Sequence, residues 1–483
     1  MSELPEGWTS ATIAEVTQDI PNVNPEHDPD KEFGYVDISS VNNSNYSITE
    51  VKKIKGANAP SRAKRPVQAN DVLFSNVRTY LRNIAIVPHN SEAQICSTGF
   101  TVLRSTGSVD SRYLFRWLLT DTFIKRVTPQ QTGTHYPATS DRVVKSETVP
   151  LPPLSEQRRI VAKLEKLLSR VGAAQARLAT IPRILKRFRQ SVLAAASSGQ
   201  LTADWRYGHP YPVAKSTDGD WPYALPESWS WRTFKSVSRE ITVGYVGPMA
   251  KEYAKSGVPF LRSQNVRPFC FDPTNIKYIS PDFHRSILKS RLNPGDVAIV
   301  RSGNSGIACV IPESLPEANC SDLVILRPNG ELDAAYACLF MNSTAAQAHV
   351  NSVKVGIAQG HFNVGSMKTT LIPLPPIAEQ QEIVRRVEAL FKTADALQAR
   401  YLKAKTHVDK LTQSILARAF RGELVTTEAE LARQEGRDYE PASALLERIR
   451  RERARNESAP KPKSKRPSKP KKQQDQLTKE MFG

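Results

Sequence analysis

The sequence predicts an α+β chain: two mixed α/β blocks separated by two long antiparallel coiled-coil helices, with a pseudo-two-fold internal repeat. Three observations predict it. PLPPLSEQRRIVAKLEKLL, beginning at Pro150, returns as PLPPIAEQQEIVRRVEALF, beginning at Pro373, a displacement of 223 residues. Each copy opens an apolar heptad pattern. Each is preceded by a block in which apolar, β-branched runs are punctuated by Gly, Pro, Asn and Asp, as in β-rich folds. Self-similarity at a fixed displacement is read as a repeated structural unit.

The repeat extends beyond the proline step. RQSVLAAASSGQL, from Arg189, returns as TQSILARAFRGEL, from Thr412; LPEGW at Leu4 returns as LPESW at Leu225. Inside the blocks, NDVLFSNVRTYLRNIAIVP from Asn70 parallels GDVAIVRSGNSGIACVIP from Gly295, and Asp110/Tyr113 parallel Asp333/Tyr336. The skeletons match while the polar decoration differs, which suggests one fold doing one type of job on two targets. The expected division is block 1 at 1–149, proline step and helix at 150–201, linker at 202–224 and block 2 at 225–372. A second step and helix follow at 373–425, then a short helical extension at 426–458 and a basic tail at 459–483.

From Ile160 the apolar positions Leu164, Leu167, Val171, Ala174, Leu178, Ile181, Leu185, Phe188, Val192 and Ala195 advance by alternating fours and threes, a heptad seam. The second copy runs through Ile383, Val387, Leu390, Leu397, Leu411 and Ile415. If the seams bury each other within one chain, antiparallel pairing returns the C-terminus beside block 1. At about 1.5 Å per residue the seam spans roughly 54 Å, a ruler between the blocks. Pro182 should kink the first helix, and its counterpart Lys405 should not disturb the second. PLPP ends one element and aims the next, and Glu156 and Glu379 then fall in a first helical turn, where the helix dipole favours them.

The formal net charge is +19, from 67 basic and 48 acidic residues, which favours a polyanionic partner. Part of the excess is the stretch 459–472, with seven basic residues, no acid and no apolar period, expected to be disordered. The five cysteines show no CxxC spacing and read as reduced and mostly buried in a cytoplasmic protein. No long uninterrupted apolar stretch suggests a membrane role. Catalytic signatures are missing: no GxxxxGK[ST], no GxGxxG after a strand, no Asn-Pro-Pro-aromatic tetrapeptide, no histidines at metal-ligand spacing. The residues argue for recognition without catalysis and without metal.

LPxxW openings, two variable blocks, two PLPPxxEQ steps and two heptad helices together resemble the specificity subunits of type I restriction-modification systems. The wording RILKRFRQSVLAAASSGQL, LTQSILARAFRGEL and ALLERIRRERA is similar to their enterobacterial prototype branch. The resemblance covers nearly the whole chain. It implies that the blocks are target recognition domains, each reading one half of a bipartite, asymmetric site in double-stranded DNA. It implies that the helices set the gap and dock two modification subunits, adenine N6-methyltransferases that carry S-adenosylmethionine. Two restriction subunits would add translocation and cleavage with ATP and Mg; no cofactor belongs to this chain. A scaffold that pairs protein helices and binds no DNA is the alternative.

Base-reading residues do not transfer, because the blocks diverge within the family. The physical candidates are polar and basic side chains on loops that replace each other between blocks. Asn42 and Asn43 stand against Arg262, Gln264 and Asn265. Ser75, Asn76, Arg78, Tyr80 and Arg82 stand against Arg301, Ser302 and Asn304. Thr134 and His135 stand against Gln359 and His361. Arg can bridge guanine O6/N7 and Asn can bridge adenine N6/N7. Tyr113, Trp117 and Phe340 fall in apolar runs and read as core.

Overall fold

The computed structural model describes residues 3–213, 223–354 and 361–458. The basic tail at 459–483, residues 214–222 of the expected linker, and Gln359 lie outside the described residues. The chain divides into two compact units, one drawn from both ends of the sequence (up to Gln175 and from His407), the other Ala176–Thr406. Each unit therefore holds one block and one end of each long helix, rather than blocks and helices forming successive domains.

The reason lies in where the apolar residues go. In unit 1, Ile160 and Leu164 near the start of the first long helix (Leu154–Ser197) share a core with Leu416, Ala419 and Phe420. Those three lie at the end of the second helix (Ile377–Ala419) and just beyond it. In unit 2, Val192, Leu193 and Ala196 at the end of the first share a core with Ile383 and Val387 at the start of the second. Start meets end in both units, so the helices are antiparallel. Arg189 adds a polar tie in unit 2, donating to Asp395 at 2.7 Å and Gln398 at 3.2 Å.

The seam is uneven. Ile160, Leu164, Val171, Leu185, Ile383 and Val387 are buried, while Leu167, Leu178, Leu390, Leu411 and Ile415 are half-buried. Leu397 does not take the seam position expected of it: it is 48% exposed. Ala394 is fully buried, but beyond it no block surface joins the facing helix to cover the longer Leu397 side chain. The first helix does not stop at Pro182, which lies inside it. Pro182 is exposed, so water can reach the backbone there, where the carbonyl of Leu178 has lost its N–H partner.

Each block closes on itself through its ends. Thr9–Thr12 pairs antiparallel with Thr148–Leu151, and Ser230–Thr233 with Leu371–Leu374. Between these closures both blocks carry a sheet with one parallel contact. Glu32–Val36 lies beside Ile95–Ser97 in block 1, and Val258–Leu261 beside Ala318–Cys320 in block 2. A second, antiparallel sheet has three strands in block 1 and four in block 2, where Ser238–Val243 adds an edge. Helices Ser111–Leu118 and Ala334–Met341, N-capped by Asp110 and Asp333, cover it. Tyr113, Trp117 and Phe340 are buried as expected, as are four of the five free cysteines. Burial pushes the Cys96 and Cys338 thiols up to about 12, which leaves them inert at neutral pH.

The shared words of the two copies prove to be one staple built twice. Trp8 Nε1 donates to Glu156 and Trp229 Nε1 to Glu379, each at 2.9 Å. The neighbouring glutamines accept the N–H of Asp110 (2.7 Å) and Asp333 (2.8 Å) and return their amides to Pro152 O and Pro375 O, each at 2.9 Å. Tyr113 and Tyr336 hydroxyls reach Pro150 O (2.8 Å) and Pro373 O (2.7 Å). Gly199 and Gly422, beyond the helix ends, have φ of +77° and +78°; a Cβ there would come 2.5 and 2.4 Å from Pro226 and Pro5. Side chains rarely adopt that backbone, and neither site has room for one.

The copies differ at one point. Glu379 is paired with Arg206 at 2.8 Å and accepts from the Thr202 hydroxyl at 2.7 Å, whereas Glu156 receives only N–H donors, from Trp8 and the Glu428 backbone (2.8 Å). Burial accordingly pushes the Glu156 carboxyl up, against those donors. Arg206 lies in a short helix, Ala203–Tyr207, so the stretch expected to be linker begins as packed structure. Breaking a buried pair from one side leaves an uncompensated charge. Arg206→Ala should therefore lower unfolding free energy by about 3–5 kcal/mol in urea titration. Arg285→Ala, which breaks the exposed pair with Asp282, should change it by no more than about 1 kcal/mol.

Candidate nucleic-acid interface

In unit 1 the first candidate loop begins at a short turn, Ile38–Ser40, capped by Asp37. Burial pulls the Asp37 carboxyl up, but hydrogen bonds from Lys52, Ser39 and Ser40 outweigh it and hold it down at about 2. The second loop joins strands Val72–Ser75 and Ile84–Ile86 through a turn, Thr79–Leu81, flanked by Arg78 and Arg82. Both arginines have left-handed backbone, φ 48° and 54°, a conformation that non-glycine residues hold only where the surroundings impose it. The third loop imposes it on Arg78. Arg78 N–H donates to Pro137 O at 2.8 Å, its guanidinium reaches His135 O at 3.2 Å, and it lies 5.1 Å over the Tyr136 ring.

These loops enclose a cleft of about 1060 Å³ whose walls include Asn42, Asn43, Asn76 and Arg78. Three of the walls have chemistry suited to a base edge or phosphate: exposed Asn43, Arg78 held at a fixed angle, and Tyr136, which is 74% exposed. Asn76 is a correction. It is buried, its amide donates to Asp141 at 3.0 Å, and its carbonyl accepts from Thr101 at 2.7 Å. Both ends are consumed, the amide by the third loop and the carbonyl by strand Phe100–Leu103. Ser75 is buried too and donates to Val77 O at 3.1 Å. Arg82 turns away to Asp121 and, at 3.3 Å, to Leu119 O, which fastens the loop to the helical layer. Tyr80, Thr134 and His135 are exposed but form no part of the cleft wall.

Unit 2 carries the corresponding concavity, about 510 Å³, lined among others by Ser263, Gln264, Arg267, Ser302, Asn304 and Asn351. Gln264 and Asn304 are exposed. Asn265 is 0% exposed; it accepts from Arg262 N at 3.1 Å and donates to Asp272 O at 2.9 Å and Thr274 O at 3.2 Å. It shapes the loop and is not available to DNA as placed. Arg262 donates to Asn275 O at 2.8 Å. Arg301 lines no part of the cleft but holds the third loop by its backbone carbonyl, which accepts from Phe362 N–H at 3.1 Å. His361 Nδ1 lies 3.1 Å from Ser302 Oγ.

Arg62, Tyr136, Arg267 and Asn351 were not singled out from the sequence. Arg62 comes from a strand-entry turn and Asn351 from helix Thr344–Lys354, neither of which aligns with a loop that differs between copies. Arg267 and Tyr136 do fall beside named candidates, close to Asn265 and next to His135; solvent exposure distinguishes them, and sequence carries no direct reading of it. Among the described residues no group of three or more His, Cys, Asp or Glu could hold a metal, and no helix is long and apolar enough to cross a membrane.

The profile of the type I restriction modification DNA specificity domain matches residues 5–183 and 248–405. The chain belongs to that family. The specificity subunit of type I restriction enzyme EcoKI from Escherichia coli K12 is 30% identical over 480 residues, covering 94% of this chain and 97% of its own. The EcoBI specificity subunit of Escherichia coli is 32% identical over 323 residues, 65% and 66%. Among solved structures, the HsdS subunit from Thermoanaerobacter tengcongensis superposes with a TM-score of 0.63 at 29% identity, covering 87% of this chain and 98% of its own. A chain from work on assembly and conformational transition of the type I R-M system gives 0.65 at 28%, covering 88% and 100%. The likeness spans both blocks and both helices, so the expected α+β specificity-subunit fold holds.

Within this specificity-family fold, the two asparagines should separate by stability. Asn76→Ala orphans buried partners and should cost about 1–3 kcal/mol in denaturant titration. Asn43→Ala should stay within about 0.5 kcal/mol.

Proposed function

We propose that the chain is the DNA sequence-recognition subunit of a type I restriction-modification complex, reading a bipartite asymmetric site, one half per block. One observation carries this. Two clefts occupy equivalent loops of a duplicated fold, yet Asn43, Arg78 and Tyr136 line one and Gln264, Ser302 and Asn304 the other. Equal skeletons with unequal donor–acceptor sets are what reading two different sequences requires. Chain-wide excess of basic over acidic residues supports a polyanionic partner.

The subunit itself is proposed to be non-catalytic. Ser302, His361 and Asp322 include the residue types of a hydrolase triad, but the serine lies between the other two and its hydroxyl already donates to the carboxylate at 2.6 Å. Histidine is not oriented by the acid, as base activation of a serine demands. Chemistry would come from partners: two modification subunits with S-adenosylmethionine and two restriction subunits with ATP and Mg, in the cytoplasm. Exposed apolar side chains on the long helices, Ile184 and Phe188 on one, Leu397 and Leu402 on the other, support docking of the modification subunits there.

DNA selected from a random pool by the complex with modification subunits should converge on a two-part sequence; no enrichment would leave the non-DNA-binding scaffold. Arg78→Ala should lower affinity by about 1–3 kcal/mol for DNA carrying one half-site, leaving discrimination at the other intact. Equal loss on all sequences with a shallower salt slope would instead make Arg78 a phosphate contact.

A further inference from the structure

Asp322 is a non-glycine residue at φ 56°, in the turn between strands Ala318–Cys320 and Leu323–Pro328. It belongs to none of the three candidate loops of unit 2, yet all three are tied to it. Ser263, from the first loop, donates its hydroxyl to Asp322 Oδ2 at 3.0 Å. Ser302, from the second, donates to Oδ1 at 2.6 Å. Arg301 N–H, also from the second, donates to the Asp322 backbone carbonyl at 3.2 Å. Because the Ser302 proton is committed to the carboxylate, its oxygen is left to accept from His361 Nδ1 at 3.1 Å, which brings in the third loop.

We propose that Asp322 is a positioning residue for recognition of the second half-site. Its carboxylate sets the relative places of the loops bearing Gln264, Asn304 and His361, without itself reading a base. The inference rests on the reading of these loops as a DNA-recognition surface. Unit 1 fastens its loops with a carboxylate too, from a different place in the chain. Asp141 accepts from Asn76 at 3.0 Å, lies 2.8 Å from Thr101 Oγ1 and pairs with Arg65. A fastening rebuilt from non-equivalent positions points to a demand of the surface rather than an inheritance of the fold. Left-handed backbone held by a non-glycine residue beside a binding surface is strain kept in place by its neighbours.

The backbone supplies a discriminating test. Glycine relieves left-handed strain while removing the carboxylate, so stability and recognition should separate. The complex with modification subunits is titrated with selected DNA and with DNA altered in either half. Asp322→Gly should keep or raise the thermal midpoint, lose about ten-fold in discrimination at the second half-site and retain it at the first. Asp322→Asn, which keeps one acceptor oxygen, should fall between it and the parent. Undiminished second-half discrimination in Asp322→Gly overturns the proposal. So does equal loss at both halves, or a lowered thermal midpoint in both variants, which would make Asp322 a residue of the fold alone. If the parent complex discriminates at neither half, the recognition reading fails first and the proposal with it.

Discussion

A buried carboxylate receiving an indole N–H at the first turn of each long helix is the constraint on which the rest depends. Glu156 and Glu379 are fully buried, and a charge in such a place persists only if donors surround it. Trp8 and Trp229 come from the opening of each block, so this requirement binds the start of a block to the proline step that ends it. The adjacent glutamine and the buried tyrosine hydroxyl complete the junction by donating to carbonyls of the proline step. LPxxW and PLPPxxEQ are thus halves of one object, although more than 140 residues separate them in each copy.

With the frame held there, the loops are free to differ. Burial and hydrogen bonding are spent on the sheets and the closures, while the sides of each cleft are drawn from segments whose backbone is tied down by a few polar residues. Asn76, Asn265, Arg82, Asp141 and Asp322 fasten loops; Asn43, Arg78, Gln264 and Asn304 are left presenting side chains. Separating these two classes explains how a recognition surface can change its reading set without loss of the fold: a presenting residue can be exchanged at little stability cost while the fastening residues keep its loop in place.

The helices show the limits of a periodic reading. Heptad spacing correctly placed Ile160, Leu164, Ile383 and Val387 inside, because at each helix end a block supplies a wide apolar surface to bury them. Leu397 and Phe188 obey the same spacing and remain exposed, since away from those surfaces only one facing helix is available. Spacing specifies a stripe; what covers it depends on neighbours.

Duplication, antiparallel helix pairing, β-rich blocks and membership of the specificity family were all determined by sequence alone, for each rests on order, period or wording along the chain. The role of Glu156 and Glu379 was only partly legible: the first-turn position was plain, the tryptophan partner was not. Which asparagine faces solvent and which is consumed inside was decided by tertiary structure. Asn43 and Asn76 are the same residue type in similar loops, and only the approach of Thr101 and Asp141 from distant segments makes one structural. The same holds for Asp322, whose meaning comes from three loops converging on it through space.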